Sequence, residues 1–178
     1  MLWLTLLIQI ILIILIIAGA IQFFNILFRG HAPFIMTRRR VVKALLPIIE
    51  LDKKTIFYEL GSGAAGILRR LEKKCPRARL IGLEYALIPW LISRVRLSLT
   101  NSKIKIKKRN FFKADLSQAD YIYCFLNIET MNKLEKKFLK SCHKGAIVIS
   151  YIFQLPHLKP YQVIKIGRQH LYFYKIHG

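Results

Sequence analysis

The first 28 residues of the chain form a continuous apolar stretch without a single charged side chain. Its polar interruptions are Thr5, Gln9, Gln22 and Asn25, all of which a helix tolerates. About 20 apolar residues in helical form are enough to cross the hydrocarbon core of a bilayer. The pattern therefore predicts one N-terminal transmembrane helix, which we assign to residues 1–28 as a membrane anchor.

A cleaved signal peptide is the alternative interpretation of this stretch. Ala18-Gly19-Ala20 resembles the small-residue site at which such peptides are cut. However, no Lys or Arg precedes the apolar run, and the run resumes from Ile21 to Phe28. These two features favour an uncleaved anchor.

Positive charge begins where the apolar stretch ends. No cation precedes the predicted helix, and five follow it closely: Arg29, Arg38, Arg39, Arg40 and Lys43. Because cationic flanks stay on the cytoplasmic side of a membrane, we expect a single-pass protein whose C-terminal part is cytoplasmic. We assign residues 29–54 to a basic juxtamembrane segment with a short helix over 38–46, and 55–178 to one folded domain.

Hydrophobic periodicity in this domain alternates between strand and helix. Helices are expected over 64–74, from the second strand to about 99, and around Met131, Leu134 and Phe138. The predicted strands are 55–60, 79–85, 103–108, 119–126 and 146–150, followed by a hairpin of 162–166 and 171–176. This order predicts an α/β fold: a Rossmann-like sheet with helices on both faces and a C-terminal antiparallel hairpin.

The overall charge is strongly positive, with 30 Lys and Arg against 9 Asp and Glu. Such a surface attracts phosphates, and beside a membrane anchor the anionic lipid headgroups are the nearest ones. No basic, aromatic-rich stripe of the kind that stacks bases is evident, which argues against a nucleic-acid partner. The three cysteines are widely spaced and lack partners for a metal pattern, so we predict neither a metal site nor a disulfide.

A glycine-rich turn carries the clearest chemical signal. Gly61-Ser62-Gly63-Ala64-Ala65-Gly66 fits G-x-G-x-x-G between a predicted strand and a predicted helix. Glu84 follows at the end of the next strand, where a carboxylate can accept hydrogen bonds from both ribose hydroxyls. Together these features predict an adenosyl cofactor.

Glu59, two positions before the turn, distinguishes between two such cofactors. A dinucleotide would bring its pyrophosphate close to this carboxylate, which would repel it. S-adenosylmethionine instead carries a sulfonium and an α-ammonium group, and both are attracted to a carboxylate. We therefore expect S-adenosylmethionine rather than NAD.

From residue 32 onward the chain resembles class I S-adenosylmethionine-dependent methyltransferases. More narrowly, it resembles a small family of protein-lysine methyltransferases that has archaeal and membrane-anchored mitochondrial members. The matching segments are Pro33-Phe34-Ile35-Met36-Thr37, Tyr58-Glu59-Leu60-Gly61-Ser62-Gly63, Gly82-Leu83-Glu84, Asn110-Phe111-Phe112 with Asp115-Leu116, and 144–150.

The resemblance implies a set of cofactor-binding residues. In the family, the glycine turn cradles the methionine part of the cofactor, the acid after the second strand holds ribose, and a polar residue after the third strand meets adenine. The corresponding positions here are Glu59, Gly61, Ser62, Gly63, Glu84, Tyr85, Asn110 and Phe111. The chain departs from the family at Ala64-Ala65, where Asp-Gly is usual, at Asn110, where Asp is usual, and at Ile128, where proline is expected.

On the acceptor side we predict catalytic roles for Asn127, at the tip of the fourth strand, and for Glu129 just beyond it. Their structural alternatives are a local backbone hydrogen bond for Asn127 and a helix N-terminal carboxylate for Glu129. We expect methylation of a lysine in a membrane-associated protein. The alternatives are a lipid or hydrophobic small-molecule acceptor, or a non-catalytic module that binds the cofactor.

Overall fold

The computed structural model describes residues 2–29, 37 and 39–177, which fall into two compact units, Met1–Ile35 and Met36–Gly178. The first contains one helix, α1, Leu2–Arg29. Within it, Leu2–Ile21 is the one described helical segment that is long and apolar enough to cross a membrane. Length and composition alone qualify it, and a signal sequence near an N-terminus would qualify equally.

The second unit is built on one seven-stranded sheet with the strand order β3-β2-β1-β4-β5-β7-β6. The first five strands are parallel, and β7 runs antiparallel to both β5 and β6. The strands are β1 Ile56–Leu60, β2 Arg79–Glu84, β3 Lys105–Lys108, β4 Tyr121–Cys124, β5 Ile147–Tyr151, β6 Gln162–Ile166 and β7 Gln169–Lys175. The predicted α/β sheet with a C-terminal hairpin is confirmed.

Helices cover both faces of the sheet. They are α2 Arg39–Leu45, α3 Gly66–Lys74, α4 Leu87–Ser98 and α5 Ile128–Ser141, and a short 3-10 helix spans Phe111–Lys113. Successive residues of β1 point to opposite faces, since side chains alternate along a strand. Phe57 packs with the apolar residues of α2 and α3, whereas Tyr58 belongs to the cluster that contains Phe138 of α5.

Gly82 makes room for the glycine turn at the centre of this sheet. It lies in β2, opposite Glu59 of β1 and Ile106 of β3. A Cβ atom at this position would lie 2.7 Å from the Ser62 Cβ and 2.5 Å from both the Ser62 Oγ and the Ile106 Cδ1. These separations are far below van der Waals contact, so the turn takes this path only because residue 82 has no side chain.

We therefore expect Gly82→Ala to lower the free energy of unfolding by about 1–3 kcal/mol, the usual cost of overpacking a core. Denaturant unfolding of the full chain in detergent, followed by circular dichroism, measures the change. The Ser62→Gly substitution removes both nearby Ser62 atoms, so Gly82→Ala should cost less in that background. An equal loss in both backgrounds would show that the Ser62 contact is not the cause.

Candidate active site

The glycine turn connects β1 to α3 through three residues with left-handed backbone conformations. Gly61 has φ 71°, Gly63 has φ 51° and Ala65 has φ 58°. The amides of Gly61 and Ser62 both donate to the Leu83 carbonyl of β2, at 2.9 and 3.1 Å. The turn is thus bound to the neighbouring strand rather than projecting freely into solvent.

Ala65 keeps a conformation that usually belongs to glycine. It precedes the first helical residue of α3 with φ 58° and ψ 35°, and the family that the sequence resembles has glycine at this point. A left-handed conformation costs an L-residue roughly 1–2 kcal/mol. The departure from the family motif therefore leaves the course of the turn in place, and the surrounding contacts offset the backbone strain.

Glu84 holds the turn from the end of β2. One of its carboxylate oxygens, Oε2, accepts a hydrogen bond from the Gly63 amide at 2.8 Å. The other, Oε1, accepts from the Ala86 amide at 2.8 Å, just before α4 begins. Because an ionised carboxylate offers about four acceptor positions, these two bonds leave capacity for further donors.

Two polar atoms at the turn are buried without a hydrogen-bond partner. They are Oε2 of Glu59 and Oγ of Ser62, in side chains that are 5% and 4% exposed. Within the described residues only one other side-chain atom, the Trp90 Nε1, shares this state. Leaving a buried polar group unpaired costs about 1–3 kcal/mol, so a ligand with hydrogen-bond donors would be stabilised here.

The pKa of the Glu59 carboxyl is raised well above its usual value of 4.5, first by burial and then by the nearby Glu84 carboxylate. A backbone hydrogen bond from Leu68 and the charge of Arg70 act in the opposite direction and are outweighed. Such a carboxyl is stabilised in its charged form when a cation approaches. The site therefore favours a ligand that brings positive charge to Glu59.

The other predicted cofactor residues lie at the same edge of the sheet, after β2 and β3. Tyr85 follows Glu84 directly and is 52% exposed. Asn110 caps the 3-10 helix by accepting a hydrogen bond from the Phe112 amide through its Oδ1 at 2.9 Å. Phe111 is half-buried and packs against the core cluster that contains Phe138 of α5. This geometry brings all three to the carboxyl ends of adjacent parallel strands.

The two predicted catalytic residues lie where α5 begins. Asn127 caps that helix, since its Oδ1 accepts a hydrogen bond from the Thr130 amide at 3.0 Å. Glu129 is exposed in the first turn, where a carboxylate is favoured by the helix dipole. Both structural alternatives are thus realised, and the predicted catalytic roles stay predictions.

Some neighbours of the site were not predicted from the sequence. Thr37, 7% exposed, lies with its hydroxyl 3.4 Å from the Tyr123 hydroxyl of β4. No local pattern signals a contact between residues so far apart in sequence. Of the matching segment that ends at Thr37, residues 33–36 lie outside the described residues.

The carboxyl ends of β4 and β5 carry a second set of neighbours. Phe125 and Tyr151 pack edge to face, with ring centroids 5.0 Å apart. Ile152 follows with φ 77°, an outlying conformation for a β-branched residue. Phe125 is half-buried.

A buried carboxylate holds the loop that follows β5. Glu135 of α5, 2% exposed, accepts hydrogen bonds from the backbone amides of His157 and Leu158, and its Oε2 lies 2.7 Å from the His157 Nδ1. Burial alone would raise the pKa of Glu135, but the bonds from His157 and Leu158 outweigh it, and the pKa lies below its usual value. The loop is therefore held against α5.

Comparison with known proteins identifies the group to which this site belongs. Residues 59–162 match the family described as the ANTKMT methyltransferase domain. A protein-lysine N-methyltransferase of Saccharolobus islandicus is 29% identical over 76% of this chain and 86% of its own length. The mouse adenine nucleotide translocase lysine N-methyltransferase is 25% identical over 84% of this chain, which spans 66% of the mouse protein.

Solved structures show the same fold. An RNA methyltransferase from Salinibacter ruber, in complex with S-adenosyl-L-homocysteine, superposes with a TM-score of 0.75 at 22% identity, over 80% of this chain and 94% of that one. A methyltransferase from Pyrococcus furiosus gives a TM-score of 0.61 at 15% identity, over 88% and 93% of the two chains. The Glu59 carboxyl, with its unpaired Oε2, and the Glu84 carboxylate fit the charges and hydroxyls of S-adenosylmethionine. The chain belongs to the ANTKMT methyltransferase domain family and is an S-adenosylmethionine-dependent methyltransferase.

Proposed function

We propose that this enzyme is anchored in a membrane and methylates a lysine side chain of a membrane-associated protein. The observation that carries the chemistry is the pair of carboxylates, Glu59 and Glu84, at the tips of adjacent strands around the glycine turn. Lysine as the acceptor is supported by the two curated relatives, each of which is a lysine N-methyltransferase by name.

The membrane location is supported by the N-terminal helix. Its segment Leu2–Ile21 has a mean hydropathy of 3.0, and the cations of the chain begin only after the apolar run. A cytoplasmic catalytic domain follows from that asymmetry of charge. A substrate at the same membrane would meet the active site at high effective concentration.

In this proposal, different residues in and near the turn bind different parts of the cofactor. When bound, S-adenosylmethionine supplies a methyl group activated by its sulfonium charge. Glu59 pairs with the α-ammonium group, the backbone of Gly61 to Gly63 lies against the methionine part, and Glu84 accepts hydrogen bonds from the ribose. Asn110, with Phe111 and Tyr85 beside it, recognises the adenine ring.

The acceptor must reach the methyl group as a neutral amine, so the acceptor side has to disfavour an ammonium ion. The Phe125 and Tyr151 rings supply an apolar wall at the ends of β4 and β5, and desolvation lowers the pKa of a lysine. In this proposal Glu129 accepts the proton that the lysine ammonium ion loses before transfer, and Asn127 orients the resulting neutral amine. Alignment and exclusion of water then account for most of the rate enhancement.

The acceptor class is tested by incubating the full chain with radiolabelled S-adenosylmethionine and membrane fractions, then separating protein from lipid. We expect the label in protein, and acid hydrolysis should return it as methylated lysine. Label confined to the lipid fraction would contradict a lysine acceptor, although it would leave the methyltransferase activity intact.

The same assay addresses the acceptor-side residues. Asn127→Ala should slow transfer about tenfold, the equivalent of one hydrogen bond of about 1.4 kcal/mol, while cofactor affinity stays constant. Asn127→Asp preserves the helix cap, so it separates slower transfer from lost stability. If Asn127→Ala and Glu129→Gln both transfer at the normal rate, neither residue takes part in the reaction.

We expect Glu84→Ala to weaken binding of S-adenosylmethionine by about 1.5–3 kcal/mol, the scale of hydrogen bonds to a charged group. Isothermal titration calorimetry measures the dissociation constant. Glu72→Ala is the matched control, because Glu72 also accepts two hydrogen bonds, from the Ser102 hydroxyl and the Lys103 amide, each at 2.7 Å. Both variants lose stability, and only Glu84→Ala should lose cofactor affinity. Equal dissociation constants would show that Glu84 does not hold the cofactor.

Glu59→Gln should weaken cofactor binding by a similar amount, about 1.5–3 kcal/mol. It should also make the cofactor-free enzyme more stable relative to the wild-type chain as pH rises. Because the folded-state pKa of Glu59 is raised, the folded chain binds this proton more tightly than the unfolded chain does. Its contribution to stability is therefore complete below the usual value of 4.5 and is lost at higher pH. Glutamine does not titrate, so the variant escapes that loss.

Unfolding experiments across a pH series measure this effect, and Glu135→Gln provides a control of opposite sign. The pKa of Glu135 is lowered, so its stabilisation is present above the usual value of 4.5 and disappears as pH falls. If the free energy of unfolding varied with pH in the same way for the wild-type chain and for Glu59→Gln, Glu59 would not have the raised pKa described above.

A further inference from the structure

Helix α4 packs against the sheet with its less apolar side. The residues it buries are Ser93 and Leu97, with Trp90 half-buried. Six large aliphatic side chains on the helix and at its C-terminal end are between 39% and 80% exposed: Leu87, Ile88, Leu91, Ile92, Val95 and Leu99. At 100° per residue these six positions share one face, which we call the α4 stripe.

The α4 stripe holds half of the exposed large hydrophobic side chains described in the second unit. Counting Tyr85 just before the helix, residues 85–99 supply seven of the twelve exposed large hydrophobic side chains described between residues 37 and 177. Isolated apolar residues on a surface need no explanation, whereas a contiguous patch marks an interaction site. By contrast, α3 buries Ile67, Leu68 and Leu71, and α5 buries Met131, Leu134 and Phe138 and exposes only Ile128 and Leu139.

The sequence that contains and follows the stripe is rich in cations and carries no acidic residue. Between Glu84 and Asp115 the sequence contains no Asp or Glu and eight cations: Arg94, Arg96, Lys103, Lys105, Lys107, Lys108, Arg109 and Lys113. On the helix, Arg94 and Arg96 flank the aliphatic face by their helical positions. The Lys108 Nζ lies 6.0 Å, and the Arg94 guanidinium 5.9 Å, from the centre of the Trp90 ring.

We propose that the α4 stripe docks on an anionic lipid surface, with its aliphatic side chains among the acyl chains and its cations at the headgroups. This combination of an apolar face and basic flanks is that of helices which lie in a membrane interface. A second copy of the chain is a poorer occupant, because a two-fold contact would bring two such cationic rims together. The inference extends the proposed function, on whose membrane location it rests.

Docking through α4 would place the cofactor site beside the membrane. The Ala86 amide before α4 is bound by the same Glu84 carboxylate that holds the glycine turn. The active site would then open close to the headgroups, where a lysine in a short cytoplasmic segment of a membrane protein is exposed. The substrate class becomes narrower: lysines near the membrane surface rather than lysines of soluble domains.

The test uses the full chain with Trp3→Phe, Trp90→Phe and Val95→Trp, so that its single tryptophan lies in the middle of the stripe, where Val95 is 57% exposed. The protein is added to vesicles of phosphatidylglycerol or phosphatidylcholine with brominated acyl chains, and quenching of the tryptophan fluorescence is measured. We expect strong quenching by the anionic vesicles, and much less by the neutral ones or in high salt. Arg94→Gln and Arg96→Gln should each lower the equilibrium constant for docking roughly fivefold, the equivalent of about 1 kcal/mol.

A matched pair of aspartates separates docking from general effects. Leu91→Asp puts a negative charge in the stripe, where Leu91 is 46% exposed, and Leu139→Asp does the same on α5, where Leu139 is 50% exposed. Leu91→Asp should abolish quenching by the anionic vesicles, and Leu139→Asp should leave it unchanged. Both variants should bind S-adenosylmethionine normally, which shows that they are folded.

Two results would overturn the proposal. One is tryptophan quenching that is absent, or that does not depend on lipid charge or on Leu91→Asp. The other is a dimer in detergent that Leu91→Asp converts to a monomer, since the stripe would then be a contact between copies. An alkaline carbonate wash tests the membrane anchor separately. Release of the chain by the wash would contradict the anchor, whereas quenching measured in unwashed vesicles still tests the docking of α4.

Discussion

The hydrogen bond from the Gly63 amide to the Glu84 carboxylate joins the glycine turn to the end of the neighbouring strand. The second oxygen of the same carboxylate holds the Ala86 amide, where α4 begins. One side chain therefore fixes the course of the turn and the start of the next helix. Because those amides are already aligned in the free protein, little ordering remains to be done when a cofactor binds. The space for this arrangement comes from Gly82, whose missing side chain admits Ser62.

Local charge at the turn is opposite to that of the molecule as a whole. The chain carries a net charge of +21, yet Glu59 and Glu84 lie near enough for one carboxylate to raise the pKa of the other. Two interacting carboxylates and an unpaired buried oxygen lower the stability of the free protein. A cationic ligand relieves both costs, since it supplies the opposite charge and a hydrogen-bond donor. The site therefore lowers the stability of the ligand-free protein and favours binding of a cationic ligand, a common feature of functional sites.

Local sequence patterns were sufficient for the order of strands and helices, because periodicity and the glycine and proline positions act over a few residues. They also indicated Glu59 and Glu84, since a carboxylate at a strand tip beside a glycine turn is informative by itself. Contacts between distant segments were beyond their reach. The approach of Thr37 to Tyr123 spans 86 positions, and only the folded chain reveals it. Asn127 illustrates a different limit: one polar residue before a helix satisfies the pattern of a cap and that of a catalytic group.

Helix α4 shows why periodicity alone leaves a helix face undetermined. A 3.6-residue repeat of apolar positions predicts an amphipathic helix, and the usual inference is that the apolar side faces the core. In α3 that inference holds, with Ile67, Leu68 and Leu71 fully buried. In α4 the half-buried Trp90 and the buried Leu97 lie on the other side, so the sheet is covered and the aliphatic stripe remains exposed. A second apolar environment, besides the core, would complete the burial of α4. The cations near the stripe favour a bilayer whose apolar interior is bounded by anionic headgroups.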